Sequence, residues 1–192
     1  VWMRPEILPD LKALADAVHA EGGAISYQIT HGGSFVTSVK VDGPTMSASS
    51  GINKAGVMRG NFFQRAMNRA DMDLVAQQFV DAAKLCREAG FDAVEIHMGH
   101  GYLLNQFISP LSNKRRDEFG GCAEDRARFP AEVMRRVKEA VGREMAVLAK
   151  INVADGVPGG ATADDAIVTA RMLQQAGADL LVLSGGRNIE SG

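Results

Sequence analysis

The segment Glu95-Ile-His-Met-Gly-His-Gly-Tyr102 places two histidines and a tyrosine directly after an apolar run. His97 and His100 are three residues apart, so a turn could direct an N–H group of each imidazole at one oxygen. Such a pair polarises a carbonyl and stabilises the negative charge that develops on it during reduction or enolisation. The Tyr102 hydroxyl, two residues further on, can donate a proton to a carbanion or enolate. The segment therefore predicts both substrate binding and catalysis at His97, His100 and Tyr102.

Two other interpretations of this segment remain open. In one, His97 is a core histidine with satisfied hydrogen bonds and Tyr102 only packs. In the other, Glu95, His97 and His100 bind a metal ion, because alternate residues of a strand share a face and carboxylate and imidazole are common zinc ligands. No further acidic or cysteine ligand stands out in the sequence, and we predict no metal site.

Two more polar residues end apolar runs. Gln28, with His31 close behind, carries an amide donor and acceptor that suit the edge of a heterocycle; alternatively, its side chain bonds a neighbouring loop. Lys150 lies among apolar neighbours, where a lysine is rarely tolerated without an anionic partner. That partner could be a cofactor that is anionic when reduced, or a carboxylate such as Glu95.

Alternating helices and strands must position these residues. Short apolar runs predict buried strands, and apolar residues spaced three and four apart predict helices. The expected strands are 24–30, 92–97, 145–152 and 179–184, and the expected helices are 8–20, 72–89, 130–141 and 162–176. Asp71 and Thr162 are the expected N-caps of two of these helices.

Repeated αβ units with buried strands indicate a parallel sheet covered by helices. A doubly wound sheet and a closed barrel both satisfy that pattern, but no phosphate-binding GxGxxG follows a strand. Polar residues instead end every strand, as they do around the mouth of a barrel; they are Gln28 and His31, His97 and His100, Lys150 and Asn152, and Ser184.

The predicted fold is therefore α/β, a partial (β/α)8 TIM barrel of about four βα units, since the complete fold has eight. We expect residues 1–192 to form a single domain that lacks N-terminal and C-terminal barrel units, because the chain opens on Val1 and stops soon after a strand. Two long connections, 32–69 and 101–125, are expected to cover the barrel mouth. The charged stretch 113–129 is expected to be a loop pinned by arginine–carboxylate bonds.

The run EIHMGHGYLLNQFISPLSNKRRDEFGGCAEDRARF, residues 95–129, resembles the old yellow enzyme family of FMN-dependent NADH:flavin oxidoreductases. The segment QITHGG, residues 28–33, and the segment KINVADGVPGG, residues 150–160, are similar to two further parts of that family's pattern. Departures are Ser34 and Lys150 where the family has arginine, Met98-Gly99 in the turn, Cys122 for serine and Asp125 for asparagine. None of these departures removes a catalytic group.

The resemblance implies a role for each candidate residue. His97 and His100 would bind the substrate carbonyl, and Tyr102 would protonate the α-carbon. Gln28 would bind the flavin pyrimidine edge, and Lys150 would favour the reduced, anionic flavin. The implied reaction takes a hydride from NADH or NADPH through FMN to an activated C=C bond of an α,β-unsaturated carbonyl-type substrate.

The composition of the chain limits the kinds of partner that it could bind. The net charge of -2 offers no basic excess for nucleic acid, and no apolar run approaches the roughly 20 residues that span a bilayer. Two cysteines make no disulfide framework, so we expect a cytoplasmic protein with a small-molecule substrate, and leave a homo-oligomer open. The alternatives to the reductase are a non-catalytic truncated barrel fragment and, less favoured, a metal-dependent barrel hydrolase.

Overall fold

The main sheet of the protein has four parallel strands, which lie side by side in their order along the chain. In the computed structural model, residues 3–36, 44–53, 56–57 and 60–186 are described. The strands of this sheet are β1 (Ser26–Ile29), β5 (Ala93–Met98), β6 (Ala146–Asn152) and β7 (Leu180–Ser184). All four lie where the apolar runs predicted them, with ends that differ by at most two residues.

Helices cover one face of this sheet. They are α1 (Leu8–Ala20), α2 (Arg69–Glu88), α4 (Ala123–Val141) and α5 (Ala163–Gln175), and α4 packs between α2 and α5. On β5 the alternate residues Val94, Ile96 and Met98 are fully buried in the hydrophobic core. Because successive strand residues point to opposite faces, Glu95 and His97 lie on the other face, which is the inner face of the predicted barrel.

The start of α2 differs from the prediction. Asn68, not Asp71, is the N-cap, and its side chain accepts a hydrogen bond from Asp71 N at 2.9 Å. Asp71 returns the bond by accepting from Asn68 N, which makes the two residues a capping box. The prediction of Asp71 as the N-cap was wrong. An acidic residue at the third position of a helix also accepts from the free N–H groups at the helix start, so the sequence does not distinguish it from the cap. Thr162 was right, and it caps α5 in the same way with Asp165.

Helix α4 begins at Ala123, seven residues before the predicted start at Pro130. A proline is most often found in the first turn of a helix, because it lacks an N–H group and clashes with the preceding turn. Here the helix continues through Pro130, which is buried beside Phe129. The extra turns are anchored by Arg126, whose side chain donates to Ile108 O and pairs with Asp165. The predicted charged loop 113–129 is therefore partly helix.

The two long connections carry structure of their own. Residues 32–69 contain a small sheet in the order β2-β4-β3, formed by β2 (Thr45–Ser47), β3 (Gly51–Ile52) and β4 (Phe63–Ala66); residues 37–43, 54–55 and 58–59 lie outside the described part. Residues 101–125 contain a short buried helix, α3 (Leu103–Ile108). Arg115 joins the two connections by donating to Ala48 O and Met67 O, and it pairs with Asp117.

Strands β1 and β7 are the two edges of the main sheet, and the described residues do not close it into a barrel. Leu180 and Leu183 on β7 are 55% and 66% exposed, whereas the core-facing residues of β5 and β6 are buried. No helix in the described part of the chain combines the length and the apolar character needed to cross a membrane. That residues 1–192 form one domain stays a prediction.

Candidate functional site

His97, His100 and Tyr102 come together at the carboxyl end of β5. His100 Nδ1 lies 3.0 Å from His97 Nε2, and the Tyr102 ring packs edge-on against His97 with a centroid distance of 4.9 Å. Since the two nitrogens are 3.0 Å apart, one oxygen can lie within hydrogen-bond distance of both. In the structure, however, the two imidazoles hydrogen-bond each other.

The turn that carries His100 is held from the neighbouring strands. His100 has a φ of 58°, a left-handed conformation that is uncommon for residues other than glycine. Its backbone N–H donates to Asn152 Oδ1 at 3.1 Å, and its ring Nε2 lies 2.7 Å from Ser184 Oγ. Asn152 ends β6 and Ser184 ends β7, so two adjacent strand ends hold one histidine in a strained conformation. Strain of this kind is concentrated at functional sites.

His97 is held as a neutral imidazole. It is only 5% exposed, and its Nδ1 accepts a hydrogen bond from Gly99 N at 3.1 Å. Burial lowers the pKa of His97 to about 4, helped by the nearby ionisable ring of His100 and by the Lys150 ammonium. A backbone N–H can only donate, so His97 Nδ1 is the acceptor and its proton lies on Nε2. The geometry thus presents an N–H donor at His97 Nε2.

We expect the His97 ring to titrate near pH 4 rather than near the ordinary value of about 6.5. Between these values the unfolded chain binds a proton that the native state does not, so this residue lowers the free energy of unfolding as the pH falls from roughly 6.5 to 4. The check is an NMR titration of the full-length protein, together with urea unfolding of His97→Gln, which should lose this part of the pH dependence. His19→Gln, an exposed histidine paired with Asp92, is the control. A His97 midpoint near 6.5 would contradict the burial argument.

Gln28 and Lys150 lie on either side of Glu95 on the inner face of the sheet. The register pairs Gln28 with Glu95 and His97 with Lys150. Gln28 Nε2 donates to Glu95 Oε1, and Lys150 Nζ lies 3.2 Å from the same oxygen. Of the two partners that the sequence raised for Lys150, the structure shows the carboxylate of Glu95. An anionic cofactor as the partner of Lys150 stays a prediction.

The three residues considered as metal ligands are otherwise engaged. Glu95 binds Gln28 and Lys150, while His97 and His100 bind each other. Within the described ranges, no three His, Cys, Asp or Glu side chains are grouped so that they could hold a metal ion. The arrangement of the side chains gives the metal-dependent hydrolase no support.

The loop after β1 packs against the turn after β5 through a buried glutamine. Gln106 Nε2 donates to Gly101 O at 2.7 Å and to Ser34 Oγ at 2.9 Å, and its Oε1 accepts from Ser34 N. A Cβ atom at Gly33, where φ is 60°, would overlap the Gln106 side chain. The Phe35 ring packs against the Tyr102 ring with a centroid distance of 5.6 Å. These contacts fix where Tyr102 lies relative to the end of β1.

Comparison with known proteins shows the family to which the chain belongs. A family model described as NADH:flavin oxidoreductase / NADH oxidase family matches residues 1–191. The chain belongs to this family. Flavin-dependent oxidoreductase chemistry, with FMN as cofactor and NAD(P)H as reductant, is therefore the chemistry of its relatives.

Curated relatives of this chain are longer than the chain itself. A 4,4'-dithiodibutanoate disulfide reductase from Rhodococcus erythropolis is 37% identical over 193 residues, which cover 99% of this chain and 46% of that protein. An NADPH dehydrogenase from Geobacillus sp. (strain WCH70) is 37% identical over 186 residues, which cover 97% of this chain and 52% of that protein. The chain thus spans about half the length of these relatives.

A solved structure confirms the fold of the chain. The old yellow enzyme from Pichia sp. AKU4542 superposes with a TM-score of 0.79 at 28% identity, covering 94% of this chain and 52% of that one. The predicted partial TIM barrel and the predicted resemblance to the old yellow enzyme family are both confirmed. The roles of individual residues are not tested by these matches.

The sequence pointed to strand-end residues without assigning all of them a part in the site. Asn152 and Ser184 were recognised as polar strand ends, but their bonds to His100 were not foreseen. Gln106 was missed. Its position one helical turn after Tyr102, beside Asn105 among the apolar residues of α3, was the available signal, because a buried amide must find partners.

Proposed function

We propose that the full-length protein containing this chain is an NAD(P)H-dependent FMN reductase of activated C=C bonds in α,β-unsaturated carbonyl-type substrates. The observation that carries the proposal is the meeting of His97, His100 and Tyr102 at the end of β5, beside Gln28 and Lys150 on the same face of the sheet. Bound FMN would supply the hydride-transfer chemistry between the nicotinamide and the substrate.

This chain's own residues would handle the oxygen and the proton. His97 and His100 would each donate an N–H to the substrate carbonyl oxygen and stabilise its negative charge as the double bond is reduced. Tyr102, whose ring contacts His97, would donate its hydroxyl proton to the α-carbon. The buried hydrogen bonds of Gln106 hold the loops from which these groups project, so the site is preorganised.

The inner-face residues suit a flavin ring by their chemistry. Gln28 provides amide donors and an acceptor, and Lys150 provides a cation with three donors. The Lys150 side chain is partly exposed. Its ion pair with Glu95 occupies one of the three N–H donors of the ammonium, so the others could bind a flavin. An ammonium at this position would favour an anionic reduced cofactor.

The direct test uses the full-length protein. It should be purified with its flavin, reduced anaerobically by NADH or NADPH, and then mixed with 2-cyclohexenone while the flavin absorbance and the saturated product are followed. Rapid reoxidation of the flavin with stoichiometric product supports the proposal. A flavin that is reoxidised by oxygen but by no activated alkene would contradict it.

A second electron acceptor belongs in the same assay. The relative from Rhodococcus erythropolis, which matches along nearly the whole of this chain, is named for the reduction of a disulfide, 4,4'-dithiodibutanoate. We therefore propose disulfide reduction as the second candidate function. Reoxidation of the flavin by that disulfide and not by alkenes would favour the second candidate over the first.

The charge at Lys150 can be tested independently of the substrate. We expect Lys150→Met to lower the midpoint potential of the bound flavin on the order of 30 mV, since for two electrons this is the equivalent of about 1.4 kcal/mol. Glu95→Gln should raise it, because it removes the negative charge next to the lysine. Spectroelectrochemistry measures both variants. Shifts of the same sign would rule out a direct role of the Lys150 charge.

A further inference from the structure

Both ring nitrogens of His100 are hydrogen-bonded by other side chains. Nδ1 lies 3.0 Å from His97 Nε2, and Nε2 lies 2.7 Å from Ser184 Oγ. A neutral imidazole has one donor nitrogen and one acceptor nitrogen, so this row of bonds must have a direction.

The backbone sets that direction. Gly99 N donates to His97 Nδ1 at 3.1 Å, so the proton of neutral His97 lies on Nε2. That N–H donates to His100 Nδ1, which is then the acceptor of its ring. The proton of His100 consequently lies on Nε2 and donates to Ser184 Oγ. The row runs from Gly99 through His97 and His100 to Ser184.

This direction is the wrong one for a substrate oxygen. If an oxygen accepts from His97 Nε2 and from His100 Nδ1, as the proposed function requires, His100 must carry its proton on Nδ1. Its Nε2 then becomes an acceptor and needs a donor. A serine hydroxyl is suited to this position because it can accept in one arrangement and donate in the other.

We propose that Ser184 is a positioning residue that selects the tautomer of His100 when an oxygen ligand binds. Its hydroxyl accepts from Nε2 while His97 and His100 bond each other, and it rotates to donate to Nε2 when the ligand oxygen takes up both N–H groups. His100 loses the Nε2 proton to water and gains one at Nδ1 from water, so its net charge does not change. The inference rests on the proposed function in placing the ligand oxygen between the two histidines.

Ser184 is rigidly placed for this task. It pairs in register with Asn152 across β6 and β7, and its carbonyl accepts from Val153 N at 2.7 Å. Asn152 Oδ1 in turn accepts from the backbone N–H of His100. A Cβ atom on Gly99 would lie 2.6 Å from the same Asn152 oxygen, so the turn fits closely against this strand end. The end of β6 thus binds the backbone of His100, and the end of β7 binds its ring.

The test reads the tautomers directly. The measurement follows the ring ¹⁵N resonances of His97 and His100 in the full-length flavin-loaded protein. We expect His97 and His100 both to carry the proton on Nε2 without a ligand. With 4-nitrophenol as an oxygen probe, His100 should carry it on Nδ1 while His97 keeps it on Nε2. An Nε2 proton on His100 in the probe complex would overturn the inference without any variant being made.

Variants provide a second measurement. Ser184→Ala should weaken 4-nitrophenol binding on the order of tenfold, as expected for the loss of one hydrogen bond, and raise KM more than it lowers kcat. Ser184→Thr keeps the hydroxyl and should restore binding and the Nδ1 tautomer. Ser26 is an exposed serine at the amino end of β1, away from the carboxyl ends of the strands where Ser184 lies. The control variant Ser26→Ala should therefore bind 4-nitrophenol like the parent. Parent-like binding by Ser184→Ala would overturn the role of Ser184.

The outcomes separate this inference from the proposed function. If the parent binds the probe and His97→Ala loses it, but Ser184→Ala does not, the oxygen site stands and only the tautomer role is wrong. If the parent does not bind the probe at all, the proposed function fails, and the role of Ser184 fails with it.

Discussion

Replacing Tyr102 with phenylalanine should slow alkene reduction by about 10²–10⁴-fold, the usual contribution of a general acid. Reduction of the flavin by NAD(P)H should continue at the parent rate, because that half-reaction needs no proton from this hydroxyl. The structure supports the substitution as a clean one, since the Tyr102 ring keeps its packing against His97 and Phe35 when only the oxygen is removed. Stopped-flow measurement of the two half-reactions separates the two effects.

Tyr27→Phe is the matched control for this experiment. The sequence has two tyrosines, and Tyr27 packs edge-on against Phe91 at 5.4 Å, away from the histidine pair. It should leave both half-reactions unchanged. If Tyr102→Phe slowed flavin reduction and alkene reduction equally, the residue would shape the flavin environment, and its assignment as the proton donor would be wrong.

Replacing His97 with alanine should slow alkene reduction by about 10²–10³-fold, because removal of one donor to a developing oxyanion costs about 2.7–4 kcal/mol. His100→Ala should have an effect of the same kind and keep the contact between the His97 and Tyr102 rings. Both variants should also bind phenolic ligands more weakly. Steady-state kinetics and ligand titration of the full-length protein measure these losses.

The double variant tests whether the two histidines share one oxygen. Two donors to a common oxygen act as a unit, so their losses should not add and the double variant should lose less than the sum. His19 lies in the last turn of α1, outside the histidine pair. The variant His19→Gln therefore controls for the general effect of losing a histidine. Parent-like turnover by both single variants would contradict the binding of a carbonyl by this pair.

Much of the fold followed from local patterns. Apolar runs located all four strands of the main sheet, because parallel strands covered by helices are apolar along their length. Thr162 was recognisable as a cap because a hydroxyl before a helix satisfies free N–H groups of the first turn. The beginning of α4 was not recognisable, since the tertiary contacts of Arg126 with Ile108 and Asp165 outweigh the local signal of Pro130.

The candidate site divides in the same way. The sequence alone determined which residue types stand at the strand ends: Gln28, His97, His100, Tyr102 and Lys150. It also determined the family to which the chain belongs, because the run from Glu95 to Phe129 keeps the family's spacing.

Whether the protein is cytoplasmic or oligomeric stays a prediction.

Only the tertiary structure decided how these residues are connected. Gln28 and Lys150 meet on one oxygen of Glu95, and His100 bonds Ser184, 84 residues further along the chain. Such contacts depend on the register of neighbouring strands, and a shift of one residue would turn every side chain of a strand to the opposite face. Spacing along the chain carries no information about that register. The direction of the hydrogen bonds from Gly99 to Ser184, and with it the tautomer of each histidine, was therefore decided by the fold.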